Sequence, residues 1–205
     1  MKSTRLLGMS VLVVILAASA GWAQAGGAGM APGTAGAKSA PAAAAGEAQG
    51  PPKPNPALDQ LKYFVGSWEC TGMGYVPNAH PTTARVKMDW DLNGFFINLR
   101  YEERKTDANP MPLTAVEHWG YSENLKKLVA GQIDSFGDYG TQATAGWEGD
   151  KLVWMGEMNR MGAKVPTRDI FVKKGENEVS HLGESQDKGV WTKEDEESCR
   201  RVLDK

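Results

Sequence analysis

The sequence is poor in the residues that most often build metal and catalytic sites. It has only two cysteines and three histidines among 205 residues. Two sulfurs without histidines at ligand spacing do not make a zinc site, so no metal is expected. Gly-x-Ser-x-Gly elbows, His-Glu-x-x-His helices and phosphate-cradling glycine loops are also absent from the sequence. We therefore expect no catalytic residues, no cofactor and no enzymatic activity.

An excess of positive charge is lacking as well. Lys and Arg together number 23 against 25 Asp and Glu, which gives a formal net charge of −2. Without Lys2 and Arg5, which belong to the N-terminal segment described next, the balance is 21 − 25 = −4. Proteins that bind nucleic acid usually present a basic face. This mildly acidic balance argues against nucleic acid as a partner.

The chain has only one long apolar run, and it lies at the N-terminus. A positively charged start precedes apolar residues 6–18, and Ala23-Gln24-Ala25 is a small-x-small cleavage site. This order predicts a signal peptide over residues 1–25 and export to the periplasm or the medium. The alternative is an uncleaved anchor, but the run is short for a membrane span. We expect no membrane anchor after cleavage.

Residues 26–56 have little capacity to fold. Of these 31 residues, 23 are Ala, Gly or Pro. Such a segment buries too little apolar surface to offset the entropy of ordering, so we predict a disordered tether. Residues 57–205 have ordinary globular composition and are numerous enough for one domain with its own core.

The predicted domain is a run of strands after one short helix. Apolar residues recur at helical spacing between Pro56 and Phe64, and Gly66 follows. Ten strands separated by turn residues then predict an all-β fold, either an up-and-down antiparallel barrel or a sandwich. A closed barrel also removes exposed strand edges. The predicted strands cover residues 67–75, 83–92, 95–104, 113–121, 127–135, 139–147, 151–158, 164–173, 177–184 and 195–203.

The clearest alternation lies in residues 83–104 and predicts a hairpin. Apolar and charged side chains alternate along its first strand, so one face is expected to be buried. Asn93-Gly94 follows and suits a two-residue type I′ turn. The apolar members of the first strand are Ala84, Val86, Met88, Trp90 and Leu92.

The two cysteines lie in the first and last predicted strands. Closing a barrel makes these strands neighbours, so Cys70 and Cys199 can form a cross-strand disulfide. Export places the pair in an oxidising compartment, where such bridges persist. We predict the Cys70–Cys199 disulfide, with two unrelated thiols as the alternative.

Three motifs together resemble a known bacterial family. They are residues 64–75 with Gly66-Ser67-Trp68, residues 90–96 with Asn93-Gly94, and residues 118–122. The combination resembles the family catalogued as domain of unknown function 1579. This resemblance spans residues 58–204 and implies a calycin-type or lipocalin-like barrel of about ten strands, without an established activity.

The opening motif is also distantly similar to that of nitrobindin, a haem-binding barrel. That resemblance implies a proximal histidine late in the chain, and His181 is the late histidine here. A nitrobindin-like haem binder is therefore one alternative function.

Aromatic residues suggest the main functional hypothesis. A barrel of this size need not be filled by its own side chains, and aromatic residues that line a cavity offer apolar and stacking surface. We predict an exported barrel that holds a small, mainly apolar ligand in its interior. The alternative is an interaction or envelope structural module with a filled barrel. The predicted ligand-binding residues are Trp68, Trp90, Tyr101, Trp119, Tyr121, Trp147 and Trp154.

Some polar residues are also expected to face inward. Glu117 shares a strand face with Trp119, while the neighbouring His118 faces the other way, so these two cannot cooperate directly. Arg168 and Asp169 alternate, so only one of them can be interior. An inward Glu117 or Arg168 would suggest an anionic or hydrogen-bonding ligand.

Overall fold

The computed structural model describes residues 50–202. The predicted signal peptide and most of the predicted tether lie outside these residues. Within the described part, we find no helix with the length and apolar character needed to cross a bilayer. The first regular element is the 3-10 helix Pro56–Phe64. It begins where Asn55 caps it, since the Asn55 side chain accepts a hydrogen bond from the Ala57 N–H at 2.9 Å.

Antiparallel strands make up the rest of the domain. The strands are β1 Gly66–Gly74, β2 His80–Asp91, β3 Phe96–Glu103, β4 Thr114–Ser122, β5 Lys127–Asp134, β6 Tyr139–Thr144, β7 Trp147–Glu148, β8 Lys151–Arg160, β9 Ala163–Gly175, β10 Glu178–Asp187 and β11 Val190–Arg201. Each strand pairs with its neighbour along the chain except that β6 does not pair with β7, and the first strand also pairs with the last. A further pairing between β6 and β8 completes a closed barrel of ten strands, with the two-residue β7 alongside β8 at one end. The predicted all-β barrel is confirmed.

The hairpin of β2 and β3 exists, but its predicted turn is wrong. The last paired residues are Asp91 and Phe96, so four residues form the connection instead of two. Leu92 and Asn93 both adopt positive φ, at 48° and 58°. The Asp91 carboxylate accepts a hydrogen bond from the Leu92 N–H at 2.7 Å, which stabilises the backbone conformation of this connection. Leu92 is consequently 60% exposed and does not extend the buried face as predicted.

The single strand predicted over residues 139–147 is divided in two. β6 ends at Thr144, and Gly146 adopts a φ of 107°, a backbone conformation that favours glycine. The Trp147 N–H then donates to the Gln60 side-chain oxygen at 3.3 Å. The strand is therefore interrupted at Gly146, and Trp147 contacts the helix while β7 pairs with β8.

The connections fall into two groups, which define the two ends of the barrel. The closed end carries the 3-10 helix and the connections after β2, β4, β6, β7 and β9. The open end carries the connections after β1, β3, β5, β8 and β10.

An apolar core fills the closed half of the barrel. Leu58, Leu61 and Phe64 of the helix are 3%, 0% and 2% exposed. The Phe64 ring lies edge-on to Trp119, with ring centroids 5.1 Å apart, and stacks on Trp147 at 5.4 Å. Helical spacing places these three helix residues on one face, which plugs the barrel.

The first and last strands meet at a covalent seam. The predicted disulfide between Cys70 and Cys199 is confirmed, and it joins residues 129 positions apart. The two cysteines pair in register and are 0% and 7% exposed. Next along the seam, Arg201 lies opposite Trp68, with its guanidinium carbon 4.2 Å from the ring centroid. The seam therefore combines a disulfide with a cation–π contact.

We predict that breaking the disulfide destabilises the barrel. Cys70→Ser with Cys199→Ser should lower the free energy of unfolding by about 2–4 kcal/mol, because the bridge restricts a long loop in the unfolded chain. Urea denaturation of the variant and of the oxidised wild type measures the difference. A dithiothreitol-treated wild type should match the double variant. Equal unfolding midpoints for oxidised and reduced protein would contradict the prediction.

Candidate functional site

Three of the seven aromatic residues predicted to bind a ligand belong to the packed core. Trp68, Trp119 and Trp154 are 2%, 2% and 1% exposed. Trp119 and Trp154 contact each other directly, with ring centroids 4.9 Å apart. The Trp68 N–H donates to the Phe64 carbonyl at 2.7 Å. These rings fill the closed half of the barrel, and Trp68 also pairs a carbonyl at the end of the helix. They therefore leave little room for a ligand among them.

The other four aromatic residues are dispersed. Trp147 and Tyr121 are half-buried and pack against the core at the closed end. Trp90 is 36% exposed. Of these four residues, only Tyr101 hydrogen-bonds to a polar side chain of the open half, since its hydroxyl donates to Glu197 at 2.8 Å. The barrel fold therefore does not bring the seven residues together around one cavity.

A polar half lies above the apolar core, toward the open end. The polar side chains of this half point inward, because each lies an even number of residues from a buried residue on the same strand and so shares its face. We call this set the inner polar cluster. It consists of Thr82, Tyr101, Glu103, Glu117, Gln142, Thr167, Asp169, His181, Asp195 and Glu197.

His181 lies at the centre of this cluster. Its Nε2 lies 2.9 Å from an Asp169 oxygen and its Nδ1 lies 3.0 Å from an Asp195 oxygen. The imidazole also stacks on Phe171 at 4.7 Å. Burial opposes the charged form, but the charges of Asp195 and Asp169 raise the pKa of His181 well above its usual value. His181 is therefore a protonated imidazolium that donates from both nitrogens.

Neighbouring strands position the two aspartates. The Gln142 amide donates to Asp169 and also to Thr167, at 2.5 Å and 3.2 Å. Burial would raise the pKa of Asp169, but the hydrogen bond and charge of His181 hold it below the usual value. Gly183 makes room for Asp195, since an added Cβ would lie 2.3 Å from the Asp195 carboxylate.

A second group of hydrogen bonds surrounds Glu197 and Glu103. Glu197 accepts from Tyr101 and, at 3.2 Å, from Thr82. Burial, with the nearby charge of Asp195, raises the pKa of Glu197. Glu103 accepts from the Asn109 amide at 2.9 Å. Asn109 is only 3% exposed, so the connection after β3 folds over the open end.

Glu117 lies on the inward face of β4, beside Trp119. Its carboxylate accepts the Trp119 N–H at 2.6 Å. Burial raises the pKa of Glu117 to about 7, despite the opposing hydrogen bond. Trp154 lies at the same boundary between the apolar and polar halves, in register with Asp169. Among the described residues, nothing accepts a hydrogen bond from its buried indole N–H.

The polar half stays accessible to water. The side chains of His181, Asp169 and Asp195 are 18%, 25% and 36% exposed although all three face inward. Arg168 takes the opposite face of β9, where it pairs with Glu184 at 2.5 Å and lies over Trp191. The interior therefore carries several carboxyl groups against one imidazolium and, nearer the open end, the guanidinium of Arg160, which pairs with Glu194 and Asp138.

Sequence reasoning identified part of this cluster. Glu117 was expected to share the face of Trp119, and the structure confirms that. Asp195 and Glu197 were missed, although a signal for them exists. Once Cys199 is assigned to a buried seam, the period of two along β11 places both acids on the same inward face.

Neither haem nor a metal fits the most obvious positions in the described residues. Both ring nitrogens of His181 are already hydrogen-bonded, so neither presents a lone pair to iron. Cys70, Cys199 and Glu197 place possible ligand atoms within 4.8 Å of one another. The two sulfurs are bonded to each other, however, and are not thiolates.

Comparison with known proteins supports the fold alone. No protein-family model matches the sequence, and no curated protein matches it significantly. Among solved structures, the crystal structure of Rv2717c from M. tuberculosis is similar, with a TM-score of 0.59 and 13% sequence identity. The match covers 74% of this chain and 100% of the other. At this identity, the likeness establishes a shared barrel architecture.

We predict that Glu117 makes stability fall as pH rises. Its folded pKa of about 7 lies above the ordinary 4.5, so the folded state holds an extra proton between these values. The free energy of unfolding should therefore decrease from pH 4.5 to pH 7 on account of this residue. Glu117→Gln should stabilise the protein by roughly 1–3 kcal/mol more at high pH than at low pH.

Denaturation of both proteins across this pH range provides the measurement. Glu69→Gln, at an exposed carboxyl on the outer face, is the matched control and should leave the pH profile unchanged. Parallel profiles for wild type and Glu117→Gln would contradict the assignment.

We also predict that haem does not ligate to His181. Titration with haem should give no shift of the Soret band that depends on this residue, because its nitrogens are engaged by Asp169 and Asp195. Absorbance spectra of wild type and His181→Ala should be the same. A Soret shift in the wild type that disappears in the variant would overturn the prediction.

Proposed function

We propose that this protein binds a small molecule in the polar half of its barrel. One observation carries the proposal: inward-facing polar side chains keep part of their surface accessible to water. His181 and Asp169 retain 18% and 25% exposure in the interior, while the apolar half is filled. Convergent polar groups that remain accessible are one feature of small-molecule sites.

The charges of the cluster favour a ligand with hydrogen-bond donors or a positive charge. Asp169 and Asp195 share a single imidazolium, while Glu103, Glu117 and Glu197 have no cationic partner at hydrogen-bond distance among the described residues. A buried carboxylate is costly unless it is paired or hydrogen-bonded. These three carboxyl groups already accept hydrogen bonds from neighbouring side chains, and a cationic or donor-rich ligand would add a charge partner. The ligand we propose is therefore more polar than the aromatic content of the sequence suggested.

We propose a binding role without catalysis and without a cofactor. The interior groups are engaged with one another, and the hydrogen bonds of His181 to two aspartates resemble structural support more than an acid or base waiting for substrate. An interior network of this kind positions side chains for recognition.

We further propose that the protein is exported. The N-terminal pattern of charge, apolar run and small-residue site supports this, and the Cys70–Cys199 disulfide indicates a non-reducing environment. We also propose membership of the family catalogued as domain of unknown function 1579, and the support for it is the sequence motif that includes Gly66-Ser67-Trp68.

A filled-barrel interaction module is the second candidate. The packing of Trp119, Trp154 and Phe64 favours it, since half of the interior contains no space for a ligand. Under this candidate, the inner polar cluster would serve only to stabilise the barrel, and the outer surface would carry the function.

Native mass spectrometry of protein purified from its own cells tests the proposal. We expect a retained small molecule on the wild type, and at least about a tenfold lower occupancy in Asp195→Asn, since one lost charge contact exceeds the energy of a tenfold change. Asp89→Asn, an exposed outer-face residue paired with Lys87, is the matched control and should retain the ligand.

Two results would oppose the proposal. The first is protein without any bound mass, together with no thermal stabilisation by small amines or polyols. The second is equal occupancy in Asp195→Asn and Asp89→Asn, which would place the ligand outside the barrel.

A further inference from the structure

The connections at the open end share an unusual feature, which is independent of the proposed ligand. Each of the five carries or adjoins a large apolar side chain that points into solvent. We call residues 75–79, 104–113, 135–138, 161–164 and 187–190 the rim. Its exposed apolar residues are Val76 at 59%, Met111 at 65%, Phe136 at 58%, Met161 at 101% and Val190 at 66%.

The closed end differs from the rim. Of its five connections, within residues 50–202, two expose a large apolar side chain, namely Leu92 and Leu125. Trp90, at the end of β2, and Val202, after β11, are 36% and 45% exposed there. Single exposed apolar residues are common on soluble proteins and need no explanation. A complete ring of them around one opening is harder to attribute to chance, because each lies on a separate connection.

Neighbouring residues of the outer wall extend this apolar surface. Ile133 and Tyr139 pair across β5 and β6 next to the connection that contains Phe136, and they are 59% and 57% exposed. Together with Val116 they line a shallow apolar depression of about 280 Å³. The apolar surface therefore continues from the rim onto one side of the barrel.

The exposed charges of the rim are mainly positive, although the whole chain has a formal charge of −2. Four exposed cations stand against two exposed anions, so the exposed balance is 4 − 2 = +2. One of these cations, Lys164, also pairs with the exposed Glu157 of β8 at 3.5 Å. Asp138 also belongs to the rim but is half-buried, and it pairs with Arg160 at 3.4 Å. The cations are Arg104, Lys105, Lys164 and Lys188, and the anions are Asp107 and Asp187.

We propose that the open end of the barrel docks onto an anionic lipid surface. Val76, Met111, Phe136, Met161 and Val190 would enter the headgroup region, and the surrounding Lys and Arg side chains would contact lipid phosphates. Apolar insertion combined with basic residues is the usual basis of peripheral membrane binding. A lipid surface also accommodates five separate side chains on a ring without requiring a matching groove. Docking in this orientation would bring the inner polar cluster to face the bilayer.

Vesicle co-sedimentation of the full chain gives the first test. The vesicles contain either phosphatidylcholine alone or phosphatidylcholine mixed with phosphatidylglycerol. We expect binding to the anionic vesicles, weaker binding at high salt because screening acts on exposed charges, and little binding to phosphatidylcholine alone. Phe136→Glu with Met161→Glu should reduce binding by at least about tenfold.

Leu92→Glu with Leu125→Glu is the matched control, since both residues are as exposed as Phe136 but lie at the closed end. This control should bind like the wild type. All of these positions are largely in solvent, so the variants should keep the wild-type melting temperature. Equal losses in both variants, or no loss in the rim variant, would overturn the proposal.

A site-specific probe separates docking by the rim from binding by the apolar N-terminal residues 6–18. The described residues contain no free cysteine, so Met161→Cys and Leu125→Cys can each be labelled with an environment-sensitive fluorophore. The label at position 161 should shift to the blue on anionic vesicles, and the label at position 125 should not. Binding without a shift at position 161, or no binding at all, would refute lipid docking and leave a protein partner for the rim.

Discussion

Closure of the sheet between β1 and β11 is the constraint on which this structure depends. Ten strands can enclose an interior only if the first and last pair, and here that pairing is fixed by a disulfide and by the stacking of Arg201 on Trp68. Arg201 also donates to the carbonyls of Tyr63 and Val65, at the end of the helix. The end of β11, from Cys199 to Arg201, therefore joins the first and last strands and also holds the 3-10 helix at the closed end.

Closure also explains why the interior has two unlike halves. The helix can reach only one end of the barrel, and its apolar face buries the aromatic rings there. No corresponding element plugs the other end in the described residues, so polar side chains can remain partly hydrated. At their centre, His181 is held between Asp169 and Asp195, and carboxyl groups outnumber cations around it. The proposed binding function depends on this difference, and so does the orientation in which the rim could meet a lipid surface.

The fold was largely predictable because its signals are local. Alternation along β2, turn residues at even spacing and the two cysteines are each visible within short windows. The errors occurred where a neighbouring element changed the local outcome. Asp91 hydrogen-bonds to Leu92 in the longer connection after β2, and Trp147 contacts Gln60 of the helix where a continuous strand was predicted. The candidate site was less predictable, because Glu117, Asp169, His181 and Asp195 come from four strands that are far apart in sequence.

The sequence by itself determined the positions of most strands and turns and the apolar face of the helix, since periodicity depends on neighbouring residues only. It also predicted the pairing of Cys70 with Cys199, but that contact joins residues 129 positions apart and requires the barrel to close. Tertiary structure decided which aromatic residues fill space and which polar residues face the interior. Trp119 and His181 show the reason. Both lie on inward strand faces, yet one is packed into the core and the other remains accessible, because the helix occupies only one end of the barrel.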